Sequence, residues 1–208
     1  NFLKSHGSST IAEKGYGMTE NSSTAGVCLV GVNKLSSLGI PLPLNTYGIF
    51  RRGTDEELKY GEKGEICITG PTKMLGYLNN NEEESKVIRL HSDGKEWIHS
   101  EDIGYIDEDG FLFFEGRYKR LIPHGGFKLY PSYIEGIIMG HPEVEKCCVI
   151  AIPSVEYGAS PEAHIVARKD KVEELKKLKE ELIELCKDKL PSYSQPEDFI
   201  FEEELPLT

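Results

Sequence analysis

Residues 97–117 read Trp97-Ile-His-Ser-Glu-Asp-Ile-Gly-Tyr-Ile-Asp-Glu-Asp-Gly-Phe-Leu-Phe-Phe-Glu-Gly-Arg117, and this stretch decides the fold. Two apolar runs, Gly104-Tyr-Ile106 and Phe111-Leu-Phe-Phe114, flank Asp107-Glu-Asp-Gly110. Asp-Gly is strong hairpin chemistry, because glycine accepts positive φ without a Cβ clash. The stretch therefore predicts two antiparallel strands. It also marks a change of pattern, with a different architecture on each side.

Toward the N-terminus the chain reads as β. Gly26-Val-Cys-Leu-Val30, Thr46-Tyr-Gly-Ile-Phe-Arg51 and Gly64-Glu-Ile-Cys-Ile-Thr-Gly70 are short runs bounded by Gly, Pro or Asn. Residues 1–15 read as the tail of a helix and a short strand, and residues 82–88 as one short helix. Many short strands separated by turns predict a barrel-like or sandwich-like piece. Toward the C-terminus strands and helices alternate. Ser132-Tyr-Ile-Glu135 has the form of a capping box. Ile134, Ile137 and Ile138 share a helical face, which Gly140 and Pro142 end. Strands are expected at 144–152, 162–168 and 198–201. The clearest helix is 171–190, where Leu175, Leu178, Leu182, Leu185 and Leu190 keep helical spacing and Pro191 stops it. The expected fold class is α+β: a β-rich, barrel-like subdomain over residues 1–117, then a small α+β domain over residues 118–208.

Composition narrows the function. Asp and Glu outnumber Lys and Arg by 35 to 24, a net charge of −11 that argues against a nucleic-acid surface, which needs a basic stripe. It leaves room for one nucleotide, which needs only a local site. No apolar run approaches the ~20 residues of a membrane span. The five cysteines show no Cys-x-x-Cys spacing and read as reduced thiols of a cytoplasmic protein. The N-terminus has no signal-peptide pattern and no initiator Met, which suggests a chain cut from something longer.

Four places can carry chemistry. In Tyr16-Gly-Met-Thr-Glu20 a glycine admits a close ligand, a Thr hydroxyl can donate to phosphate, and a carboxylate suits Mg²⁺. Alone, the pentapeptide reads as a polar loop. Asp102 can accept two ribose hydroxyls or simply form a turn. Arg117 and Lys119 read as a solvated strand end. Gly125-Gly126 is a bulge or turn, or a passage for a slim ligand arm. The six His show no metal-binding pair at helical spacing.

The order of these segments is more specific than any one of them. Tyr16–Glu20, Gly64–Tyr77, Ser100–Gly110, Gly116-Arg-Tyr-Lys-Arg-Leu-Ile122, Gly125–Glu135 and His141-Pro-Glu-Val144 together resemble the adenylate-forming superfamily of acyl-CoA synthetases, luciferases and adenylation domains. The resemblance implies the acyl-CoA synthetase-like fold and an enzyme that turns a carboxylic acid and Mg·ATP into an acyl-adenylate, then passes the acyl group to coenzyme A. Its cofactors and substrates would be ATP/AMP, Mg²⁺, CoA and a small carboxylic acid. By the same resemblance Thr19 and Glu20 are the catalytic pair, Thr19 on the AMP phosphate and Glu20 as the metal ligand. Tyr16 packs on adenine, Gly17 and Met18 border the acyl group, and Asp102 and Arg117 bind ribose. Lys119 is the hinge, and Gly126 lies near the thiol's tunnel.

The resemblance begins after the family's glycine-rich triphosphate loop. It stops at Leu205-Pro-Leu-Thr208, short of the family's catalytic Lys motif. The expectation is a fragment truncated at both ends and inactive alone. Ser100-Glu101 stands where the family usually has Thr-Gly. Two alternatives stay open: an adenylation domain loading a carrier protein, and a non-catalytic binding protein of the same fold.

Overall fold

The computed structural model describes residues 14–29, 31–168 and 172–206. The helix tail expected within residues 1–13 lies outside them. The chain divides into two units, residues 1–114 and residues 115–208. The boundary expected after Arg117 falls just inside the second.

The first unit begins with a small antiparallel sheet of β1 (Gly15–Tyr16), β2 (Gly26–Val27) and β3 (Ile40–Pro41). A larger sheet follows, made of β4 (Thr46–Phe50), β5 (Gly64–Thr69), β6 (Ile88–Leu90) and β7 (Glu96–Ile106) in the order β4-β5-β7-β6. Helix α1 (Asn81–Val87) precedes β6, and β8 (Leu112–Arg117) pairs with β7 and leads out of the unit. Strand geometry sends alternate side chains to opposite faces. Ile66 and Ile68 of β5 join Tyr47, Ile49, Ile98 and Leu112 in one apolar cluster, while Cys67 joins Phe50 and Trp97 in another. Both faces of β5 are thus covered, which is why its sequence is nearly continuously apolar.

The hairpin between β7 and β8 forms on Asp107–Gly110. The Asp107 carboxylate accepts from the amides of Asp109 and Phe111 at 3.1 and 2.9 Å, and Gly110 takes φ +84°. Lys34 reaches in at 2.6 Å to Asp107 and also pairs with Asp109.

The second unit opens with a hairpin of β9 (Ile122–His124) and β10 (Phe127–Leu129). Then come α2 (Pro131–Ile138), β11 (Val144–Ser154), β12 (Gly158–Ala167), α3 (Val172–Lys189) and β13 (Asp198–Phe201). The sheet order is β10-β9-β12-β11, with β13 parallel to β12. The core joins Ile134 and Ile138 of α2 to Leu178, Leu182 and Cys186 of α3 and to Val149, Ile165 and Phe199 of the sheet. Residues 178, 182 and 186 are four apart, one stripe of a helix. Burying a side chain such as Leu182, which is 0% exposed, stabilises by about 1.5–3 kcal/mol.

The capping box is corrected by the structure. The N-cap of α2 is Tyr130, and no side chain caps the helix. Pro131 occupies the first helical turn, where its fixed φ suits the helix and its missing N–H is not needed, so the helix starts before Ser132. The Ser132 hydroxyl instead donates to the Glu115 carbonyl at 2.5 Å. Glu135 accepts from the Val149 amide at 2.8 Å and pairs with Arg120 at 2.5 Å.

Candidate functional site

The loop after β1 is built by a residue that has no side chain. A Cβ on Gly17 would lie 1.6 Å from the Ser23 carbonyl oxygen, so only glycine lets the loop close on itself. Thr19–Asn21 form one 3-10 turn, followed by Ser22 and Ser23 at φ +55° and +88°. Asn21, 0% exposed, donates to the Thr24 carbonyl and accepts from the Thr72 hydroxyl at 3.0 Å. Ser22 donates to the Thr72 carbonyl at 2.9 Å, and the Met74 amide donates to the Glu20 carbonyl at 2.8 Å. The loop is therefore pinned to residues 72–74. Thr19 and Gly17 are exposed, and Met18 is half-buried against the apolar cluster.

Glu20 is half-buried and its Oε1 accepts from the Tyr77 hydroxyl at 2.5 Å. Burial, and then Glu20 itself, push the Tyr77 phenol up to about 12, so it stays a donor at neutral pH. That leaves the second carboxylate oxygen for a cation. Mg²⁺ uses one or two carboxylates beside substrate phosphates and water, and a single oriented carboxylate fits that demand.

Asp102 is delivered by an irregularity in β7. Glu65 pairs with Ile103 and Cys67 with His99, so Ile66 alone opposes Ser100, Glu101 and Asp102. Such a bulge re-aims side chains. Glu101 sits at φ +57°, a region that disfavours side chains and explains why the family usually places glycine there. Ser100 donates to the Ile66 carbonyl at 2.7 Å and accepts from the Asp102 amide at 3.0 Å.

The bulge and the loop meet at Tyr16 and Asp102. The Tyr16 hydroxyl donates to Asp102 Oδ2 at 2.8 Å, across 86 residues of sequence. They are 8% and 4% exposed, and the Tyr16 ring meets Tyr47 edge-on at 6.0 Å. Burial, and then the Asp102 charge, raise the Tyr16 phenol far above its ordinary value.

Arg117, Lys119 and Gly126 belong to the second unit. Arg117 ends β8 and Lys119 lies in the 3-10 turn Tyr118–Arg120, both exposed. Gly126 and Gly125 form the two-residue turn between β9 and β10, at φ +87° and +54°. Positive φ at both positions is the geometry that needs them.

Sequence reasoning missed the residues that hold these in place: Tyr77, Asn21, Thr72 and Glu65. Only Glu65 carried a signal, as a charge within an otherwise apolar strand. Glu65, Cys67 and His99 bring donor atoms within 4.8 Å of one another, the one group of this kind among the described residues. Burial, and then the Glu65 charge, push the Cys67 thiol up, and in this structure His99 Nδ1 lies 3.1 Å from Glu65 Oε2 and 3.5 Å from Cys67 Sγ. An open cleft of about 470 Å³ in the first unit is lined by Ile40, Tyr47, Ile49, Leu58 and Lys59. None of the expected site residues lines it, so the candidate site is the loop and the bulge.

Residues 1–78 match the family described as AMP-binding enzyme, and residues 133–208 the AMP-binding enzyme C-terminal domain. The chain is 37% identical over 191 residues to the probable 4-coumarate–CoA ligase 1 of Dictyostelium discoideum, covering 92% of this chain and 33% of that one. It is 38% identical over 193 residues to the 2-succinylbenzoate–CoA ligase of Bacillus licheniformis, covering 92% and 38%. Among solved structures, the o-succinylbenzoate CoA synthetase of Bacillus subtilis with its acyl-adenylate intermediate superposes with a TM-score of 0.80 at 31% identity, over 93% of this chain and 38% of that one. The ATP-bound MatB of Rhodopseudomonas palustris gives 0.84 at 27% identity, over 97% and 38%. The chain spans about a third of the length of the curated relatives it matches. With both of the family's domains matched in order along it, the chain belongs to the AMP-binding, adenylate-forming enzyme family.

Proposed function

We propose that this chain is the part of an ATP-dependent acid–CoA ligase that holds the AMP moiety, in a β-rich end of the large domain (residues 1–117) and the small mobile domain (residues 118–208). The observation that carries this reading is the bond from Tyr16 to Asp102. It joins the Tyr16–Glu20 loop to the Asp102 bulge, two segments that share no local reason to meet. The relatives support it, being named as CoA ligases for coumarate, succinylbenzoate and long-chain fatty acids. So do the solved complexes with ATP and magnesium ion and with an acyl-adenylate.

In this reading Asp102 accepts the ribose hydroxyls and Tyr16 fixes the carboxylate's direction. Tyr16 packs on adenine. Arg117 adds a second ribose contact. Thr19 donates to the phosphate on which charge grows during adenylate formation, so it stabilises the transition state without covalent chemistry. Gly17 and Met18 border the acyl group. Glu20, oriented by Tyr77, would hold Mg²⁺, which when bound neutralises phosphate charge. Lys119 is the hinge about which the second unit turns, and Gly126 borders the path of the CoA thiol. The acceptor is CoA, and the five free thiols favour a cytoplasmic location.

Asp102→Ala tests the assignment. Losing a pair of charge-assisted hydrogen bonds weakens AMP binding by on the order of 1.5–3 kcal/mol, read by calorimetry. Unchanged affinity refutes the ribose role. Pyrophosphate release by the whole ligase of which this chain is a part, with a panel of carboxylic acids and with and without CoA, then identifies the acid and the acceptor.

A further inference from the structure

Glu65 is the most deeply buried carboxylate of the first unit among the described residues. It is 3% exposed, in a strand where Ile66, Cys67 and Ile68 are each 0%. A buried charge persists only when it is paired and hydrogen-bonded. Its two oxygens are used differently. Oε1 accepts from the Glu101 amide at 3.1 Å. Oε2 meets His99 Nδ1 at 3.1 Å, and His99 Nε2 meets His91 Nε2 at 2.9 Å. Burial alone would raise the Glu65 carboxyl, but the His99 hydrogen bond and charge and the Glu101 amide outweigh it and hold it below its ordinary range. An ionised carboxylate only accepts, so Nδ1 of His99 carries the proton.

The amide that Glu65 holds belongs to the residue in the left-handed conformation, and the next residue is Asp102. We propose that Glu65 is a positioning residue for Asp102: it clamps the Glu101 amide with Oε1, while Oε2 is held against His99 and His99 against His91, and so fixes the direction in which Asp102 leaves the strand. The clamp stands on geometry alone. Its functional consequence rests on the ribose role of Asp102.

The test is residue-resolved hydrogen exchange on the chain, with AMP affinity measured in parallel. The clamp requires a protected Glu101 amide in the unsubstituted protein. Glu65→Ala removes the acceptor and speeds exchange at Glu101 and Asp102 roughly ten- to a hundredfold relative to Ile98 and Gly104. AMP affinity falls by a similar factor. Glu65→Gln keeps an oxygen for the amide and retains most of the protection. Adding Glu101→Gly to Glu65→Ala removes the strain the clamp opposes and recovers part of the affinity, which a generally weakened sheet would not do.

Equal acceleration at Ile98, Glu101 and Gly104 overturns the proposal, because Glu65 would then only stabilise the sheet. A Glu101 amide that exchanges as fast as exposed loop amides in the unsubstituted protein overturns it without any variant. So does an AMP affinity that falls in Asp102→Ala and is unchanged in Glu65→Ala. If Asp102→Ala leaves AMP affinity unchanged, the functional half falls with the ribose role, and the exchange data decide the clamp.

Discussion

Tyr16→Phe removes one oxygen and keeps the ring, so it isolates the bond on which the site is assembled. Tyr16 and Asp102 are 8% and 4% exposed, so water screens their interaction little. The hydroxyl donates to a carboxylate at 2.8 Å, and such charge-assisted bonds contribute on the order of 1.5–3 kcal/mol. The variant should lose about that much in urea melts near neutral pH. Its alkaline behaviour gives a second, independent reading. The ordinary phenol value is 10.0, and in the folded chain burial, followed by the Asp102 charge, raises it well above that. A raised folded value means the stabilisation is complete below about pH 10 and is lost as pH climbs toward the folded value, because unfolding then releases a proton. Each pH unit in that window removes about 1.4 kcal/mol per tyrosine. Tyr16→Phe should therefore flatten the fall in stability above about pH 10 by one proton's worth. Tyr47, raised by burial with the same sign, remains as an internal reference. Melts at neutral pH and at two alkaline pH values supply both numbers. An unchanged alkaline slope, or a neutral-pH loss below about 0.5 kcal/mol, would refute the claim that this bond holds loop and bulge together.

Two further outcomes follow from the same geometry. Gly17→Ala places a methyl 1.6 Å from the Ser23 carbonyl oxygen, so the loop must open, at a cost of roughly 1–3 kcal/mol in melting and with weaker AMP binding. A crystal structure with the loop unmoved would contradict this. In the second unit, Glu135→Ala strips the acceptor from the Val149 amide, whose residue is 1% exposed, and should cost on the order of 1–3 kcal/mol; Ser132→Ala breaks one neutral bond and should cost roughly 0.5–1.5 kcal/mol. Equal losses in the two variants would restore the capping box.

What was legible in the sequence was local. Asp107–Gly110 makes its turn from its own side chains, and α3 declares itself by spacing alone, because i and i+4 residues share a face in any helix. The strand Asp198–Phe201 forms with the bounds expected of it. Ser132–Glu135 was misread because Pro131, one residue earlier, sets the start of α2. The site was legible only through the ordered resemblance. Nothing in Tyr16 or in Asp102 taken alone points across 86 residues to the other. The bulge was hidden for a related reason. Three residues facing one is a property of strand register, and register depends on the partner strand.

The loop and the bulge solve the same backbone problem in opposite ways. At Gly17 space is the constraint, and the absence of a side chain is the only answer. At Glu101 conformation is the constraint: the backbone enters the left-handed region with a side chain attached, where the resembling family usually has glycine. Glycine would satisfy that conformation by itself. A residue with a Cβ needs an outside restraint, and the Glu65 carboxylate supplies it through the Glu101 amide. A buried carboxylate needs hydrogen-bond partners, and its other oxygen meets His99, which in turn meets His91. Substitution should separate the two positions: a methyl group at Gly17 disrupts the loop, whereas Glu101→Gly relieves the bulge and makes the aim of Asp102 depend less on Glu65.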